Sequence, residues 1–224
     1  IVGISFKLYD YALNPKSSKE GIFNPNNSND QREEDIWIYN YDKKEYVYIN
    51  SFDNLKLHGY KIKNNSSKWA ITVHGYTNNA EYMSSYAYKY YTLGYNLLMP
   101  DLRGHGKSEG NYIGMGWHDR LDIIDWINYI VKNNPNSEIA LHGTSMGSAT
   151  VLMVSGEKLP SNVKAIVADC GYTSVYDEFS YQLKQLFNLP AFPIMNFSDV
   201  VTHIRAGYCL NDASAINQVK KSTT

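Results

Sequence analysis

Gly143-Thr144-Ser145-Met146-Gly147 fits the pattern G-x-S-x-G, which sets one hydroxyl between two positions without side chains. The chemistry on offer is nucleophilic acyl transfer. A serine on a one-residue turn between strand and helix needs strained backbone, and small residues two before and two after let the two elements approach. Such a turn lifts Oγ above a sheet and starts a helix behind it, whose amides and dipole favour a developing anion. Five residues alone say little. Their context says more, because an apolar run (EIALH, Glu138–His142) precedes them and SATVLMV (Ser148–Val154) follows. The bland alternative is a glycine-rich helix entry capped by Ser145.

Acyl transfer also needs two backbone N–H donors aimed at one oxygen. Met146 N–H, directly after the serine, is the first candidate. The second comes from His74-Gly75-Tyr76-Thr77-Asn78-Asn79, where Gly75 permits a turn that points the Tyr76 N–H inward. A plain glycine turn is the other reading there. The segment Asp101–Ser108 (DLRGHGKS) ends in Gly-Lys-Ser, yet a phosphate loop would need glycine at position 101, where aspartate stands. It is expected to pack beside the site, with Asp101 and Arg103 bonding backbone or each other.

The elements that must hold these segments are legible from periodicity. Glu45–Ser51 and Leu55–Ile62 alternate around Phe52-Asp53-Asn54 and predict an antiparallel hairpin. Ala70–His74, Tyr95–Pro100, Glu138–His142 and Val163–Ala168 read as buried strands. Between them, Ala80–Leu93 reads as helical with Gly94 as its stop, and Ser145–Ser155 as a helix. Trp117–Val131 is amphipathic through Leu121, Ile124, Ile127 and Val131. A hairpin followed by strand–helix repeats implies an α/β domain, a mostly parallel sheet with helices on both faces. Ligand chemistry then belongs at the carboxyl ends of the strands, after His74, Pro100, His142 and Ala168. Tyr172–Phe197 is helical and aromatic. It reads equally as an apolar acyl pocket (Phe179, Leu186, Phe187, Met195) and as ordinary surface packing.

Composition narrows the function classes. The 224 residues suit one domain, and 43% hydrophobic content supplies a core. Lys+Arg 21 against Asp+Glu 22 gives a net charge of -1, which argues against a nucleic-acid footprint. Two cysteines exclude a disulfide framework and a cysteine-rich zinc module. Cys170 is expected as a small core residue, and a bridge to Cys209 stays open. His118 and Asp122 have the i, i+4 spacing of metal ligands but read as a solvated pair. His74 and His142 end strands and should be satisfied by neighbouring loops, while His105 belongs to the Asp101–Ser108 loop. No run of about 18 apolar residues spans a bilayer. At the start, Ile1–Leu13 (IVGISFKLYDYAL) fits either the first turns of a surface helix or the tail of a hydrophobic anchor. Asn14–Asp35, rich in Asn, Ser, Lys and Pro, reads as a surface linker.

Taken together, His74-Gly75, Asp101–Ser108, Gly143–Gly147 and Asp169-Cys170-Gly171-Tyr172-Thr173-Ser174 resemble the α/β-hydrolase superfamily. The chain looks most like its bacterial membrane-anchored or exported serine hydrolases, in the serine-aminopeptidase and esterase-like branch. The resemblance implies a serine hydrolase that acts on a carboxylic ester or amide, a small molecule or short peptide, with no metal or organic cofactor. It implies an N-terminal anchor remnant and linker over 1–35, a hydrolase domain over 36–224, and a lid-like segment over about 172–212. It also tilts Ile1–Leu13 toward the anchor and the protein toward an extracytoplasmic site. In this superfamily the acid and then the histidine follow the serine. Neither maps here, so the sheet is expected to be incomplete at its C-terminal side, with both residues beyond Thr224. His203 and Asp169 are weak substitutes for base and acid. An acyltransferase and a non-catalytic binding domain of the same fold remain as alternatives.

Overall fold

A computed structural model describes residues 2–19 and 32–224. In chain order the elements are α1 (Val2–Leu13), α2 (Glu33–Asn40), β1 (Glu45–Asn50), β2 (Lys56–Ile62), β3 (Lys68–Val73), α3 (Ser84–Thr92), β4 (Asn96–Pro100) and α4 (Asp119–Asn133). They continue with β5 (Glu138–Thr144), α5 (Met146–Ser155), β6 (Val163–Asp169), α6 (Val175–Phe187), α7 (Ala191–Ala206) and α8 (Ala215–Val219). The strands form one sheet in the order β1-β2-β4-β3-β5-β6. The β1–β2 and β2–β4 pairs are antiparallel, and the three remaining pairs are parallel. This is the α/β-hydrolase fold, a mixed, mostly parallel sheet with helices on both faces.

Two-residue periodicity sorts the core into two layers. Trp69, Ile71, Val73 and Leu98 face a cluster with Ile123, Trp126 and Ile127 of α4 and Ala149 and Val154 of α5. Ala70, Leu97 and Met99 face the opposite cluster, with Ile38 of α2 and Ala87 of α3. The register aligns the strand ends that matter: Val73 pairs with Gly143, and Gly143 with Ala168. Gly94 stops α3 at φ +86°, as its position in the sequence suggests.

Three local expectations are corrected. Glu33–Asn40 is a helix although Asn14–Asp35 reads as linker; its first turn is acidic, and Ser84 Oγ bridges to it by donating to Glu34 O (2.8 Å) and accepting from Ile38 N (3.0 Å). Residues 20–31 of that stretch lie outside the described residues. Cys170 is exposed instead of buried, because β6 is the outer strand and its end turns at Cys170 φ 57°. Both cysteines are free thiols, so no bridge joins Cys170 to Cys209. His118 and Asp122 are not a solvated pair: Asp122 is buried against Arg103, and His118 Nδ1 meets the Tyr112 hydroxyl.

On α1, Tyr9 and Leu13 are buried, and the helix packs against α7. No described helix is long and apolar enough to cross a membrane.

Candidate active site

β5 runs straight into α5 with Ser145 as the single residue between them, at φ 53° and ψ −119°. That backbone region disfavours any side chain, and the surroundings hold it there. The Ser145 amide donates to Asp169 O at the end of β6 (2.9 Å), which ties the bend to the neighbouring strand. The flanking glycines are steric necessities: a Cβ on Gly143 would strike the Gly147 carbonyl, and one on Gly147 would strike the Val73 carbonyl of β3. Ser145 is exposed, and the Met146 amide behind it is the first of α5, with no carbonyl one turn back to bond.

The β3 end closes on the same point. A Cβ on Gly75 would lie 3.2 Å from Ser145 Cβ and 3.6 Å from its Oγ, so the loop that carries Tyr76 abuts the serine directly. His74, just before it, is fully buried; its Nε2 accepts from Leu102 N (3.0 Å), so Nδ1 donates to Gly75 O (2.8 Å). Burial lowers its pKa. A neutral histidine with both nitrogens engaged is a strut for this loop.

Ser145, Met146 and Tyr76 line a cleft of about 890 Å³, its open mouth included. Phe179, Leu186 and Phe187 of α6 and Met195 of α7, the four residues singled out in the sequence, all line it. The sequence reading missed a further part of the lining. Leu8, Tyr9, Ala12 and Leu13 of α1 line the cleft too, although they lie far from Ser145 along the chain.

The Asp101–Ser108 loop packs beside the site as expected, and Asp101 bonds backbone as expected. Asp101 accepts from Ala80 N (2.7 Å) and Lys107 N (2.9 Å) and bonds His58 Nδ1 (2.7 Å). Arg103 does not reach Asp101. Its buried guanidinium forks onto Asp122 (2.7 Å to each oxygen) and reaches Asp53 (3.0 and 3.2 Å) and the Tyr112 hydroxyl (2.8 Å). One guanidinium thus pins this loop to the hairpin turn and to α4. Nothing in the sequence spacing announces the Arg103–Asp53 or Arg103–Asp122 pairing.

Each of the six histidines has its place. His105 bonds Arg103 O (3.0 Å), and burial, with His74 second, holds it down to about 3. His142 Nδ1 meets the Tyr90 hydroxyl (3.1 Å) of α3, a helix instead of the loop expected. Exposed His203 lies 3.6 Å from Cys209 Sγ. With His58, His74 and His118 placed above, no histidine hydrogen-bonds Ser145. The Asp169 carboxylate accepts from the Cys170 thiol (3.1 Å) and the Tyr86 hydroxyl (3.0 Å), which lower its pKa, and it bonds no histidine. Among the described residues there is no cluster of acidic, His or Cys side chains that could hold a metal ion.

Comparison with known proteins gives the fold its family. A family profile described as alpha/beta hydrolase fold matches residues 71–195, more than half of the chain. An uncharacterized protein of Bacillus subtilis, YqkD, is 28% identical over 172 residues, 73% of this chain and 56% of YqkD. The chain therefore spans little more than half the length of that curated relative. The Pyrococcus furiosus esterase Pf2001 superposes with a TM-score of 0.63 at 27% identity, covering 86% of this chain and 71% of the esterase. The alpha/beta hydrolase GrgF from Penicillium shares the fold alone, at 16% identity and a TM-score of 0.52 over 81% of this chain and 73% of its own. The profile match and the superposed sheet make this chain a member of the alpha/beta hydrolase fold family.

Proposed function

We propose that the protein is a serine hydrolase that cleaves carboxylic esters with an apolar acyl group, with Ser145 as the nucleophile. The observation that carries this is the strained, exposed serine at the β5–α5 bend, facing a mostly apolar cleft with a helix N-terminus behind it. Ser145 Oγ attacks the ester carbonyl. The amides of Met146 and Tyr76 hold the developing oxyanion, and the alcohol leaves as the acyl-enzyme forms. Water then releases the acid. The likeness to an esterase supports ester over peptide substrates.

The general base is a histidine other than the six described, and a carboxylate other than Asp169 orients it. Two observations support this: every histidine is engaged elsewhere, and β6 leaves its outer edge and side chains such as Val167 open beside the Ser145 bend. Residues 1–224 alone are accordingly expected to be inactive and less stable than the protein at its natural length. An N-terminal membrane anchor, an extracytoplasmic location and a lid role for α6 and α7 belong to this reading. The test is turnover of p-nitrophenyl esters at natural length. Steady hydrolysis that vanishes in Ser145→Ala supports the reading. Equal hydrolysis by Ser145→Ala, or full turnover by residues 1–224 alone, refutes it.

A further inference from the structure

The strained bend and the cap helices leave one wall of the cleft unexplained, that of α1. A helix that ends at Leu13 leaves its last four carbonyls without partners inside the helix. Three of these find partners outside the helix, one of them in the site. Tyr11 O accepts from Lys19 Nζ, which also reaches Asn14 O (3.0 Å); Ala12 O accepts from the Tyr76 hydroxyl (2.6 Å); Leu13 O accepts from Ile113 N (2.7 Å). Along its length, α1 is held on α7. Ser5 Oγ donates to Ile194 O (3.4 Å), Arg205 pairs with Asp10 (2.7 Å), and the same guanidinium lies 5.0 Å from the Phe6 ring and 5.1 Å from the Tyr9 ring.

We infer that α1 is a working part of the site: its Ala12 carbonyl holds the Tyr76 phenol and thereby positions the loop whose backbone abuts Ser145. The inference rests on the reading of Ser145 as nucleophile and adds a positioning role for a side chain whose backbone amide is the proposed oxyanion donor. The geometry suits a clamp. Gly75 and Tyr76 follow β3 without further strand pairing; the turn holds a long Asn78 N to Gly75 O bond (3.3 Å), has Thr77 at φ 62°, and is braced by His74 Nδ1 on Gly75 O (2.8 Å) and the Thr77 hydroxyl on Tyr76 O (2.7 Å). His74 braces this loop from the β3 side, and the phenol anchored to Ala12 O ties it to the end of α1. Lys19, 6.0 Å from the Tyr76 ring, adds a cation at the negative end of the α1 dipole. Burial raises the Tyr76 pKa, so the phenol stays a donor. α1 lies outside the family-matched residues 71–195.

Tyr76→Phe removes the hydroxyl and keeps the ring. Two readouts are taken on the natural-length protein: backbone amide exchange by mass spectrometry and ester turnover. The clamp predicts exchange about tenfold faster at residues 75–79, with β3 and α5 unchanged, and kcat lower by about tenfold with KM little altered, the equivalent of one net hydrogen bond. Unchanged exchange at 75–79 overturns the inference whatever the turnover. So does a general rise in exchange with kcat intact, the signature of a merely structural contact, and so does a local rise with kcat intact. If the wild type shows no turnover, the hydrolase reading fails by itself, and the exchange at 75–79 still decides whether the clamp exists.

Discussion

Replacing Ser145 by glycine is predicted to make the protein more stable than replacing it by alanine. The reason lies in the backbone and not in a lost contact. At φ 53° and ψ −119°, residue 145 occupies a region that glycine enters freely and that any Cβ opposes. Holding a side chain there costs about 1–3 kcal/mol. Glycine gives back about 0.5–1 kcal/mol through its freer unfolded chain. Because Ser145 is exposed in the cleft, the Cβ contributes little packing that would shift the balance. The net advantage of Ser145→Gly over Ser145→Ala is therefore about 0.5–2 kcal/mol, or about 1–8 °C in Tm for a chain of this size. Urea unfolding of the two variants measures the difference directly, and neither carries the hydroxyl, so activity does not enter. Equal stabilities, or a more stable alanine variant, would show that the bend is relaxed and would remove the physical basis for reading it as a catalytic turn.

Two further outcomes follow from the same geometry. His105 is buried with its pKa down at about 3, so the unfolded chain takes up its proton first, near 6.5; stability is complete above that pH and falls as pH drops toward 3. At pH 5 this single group removes about 2 kcal/mol, and urea midpoints from pH 7.5 to 5 should show a slope that His105→Gln reduces; an unchanged slope contradicts the assignment. Ala12 faces the cleft from α1, so Ala12→Phe should narrow it, lowering kcat/KM for decanoyl esters at least tenfold more than for acetyl esters. An equal effect on both would place the acyl group elsewhere.

The strands and the bend are legible because each rests on local pattern. Four apolar runs announce β3, β4, β5 and β6, and two glycines around one serine announce the turn that only small residues can make. What the sequence concealed is pairing over distance. Ser5 meets Ile194, and Tyr76 meets Ala12, through contacts that no periodicity encodes. Val2–Leu13 is apolar on more than one side, with Ile4 and Phe6 exposed while Tyr9 and Leu13 are buried, so its pattern alone fits an anchor and a packed helix equally well. Arg103 shows the converse. Its expected partners are backbone or Asp101, and only the arrival of Asp53 and Asp122 from separate elements makes its burial favourable. Cys170 was misread because strand ends are normally covered, whereas β6 is an outer strand.

The most direct test of the central claim is covalent. The protein at its natural length is treated with an alkyl fluorophosphonate, and the adduct is located by mass spectrometry. The account predicts one phosphonyl group on the peptide that carries Ser145, absent in Ser145→Ala and slowed by a competing apolar ester. A folded protein left unlabelled, or labelled at another residue, contradicts it.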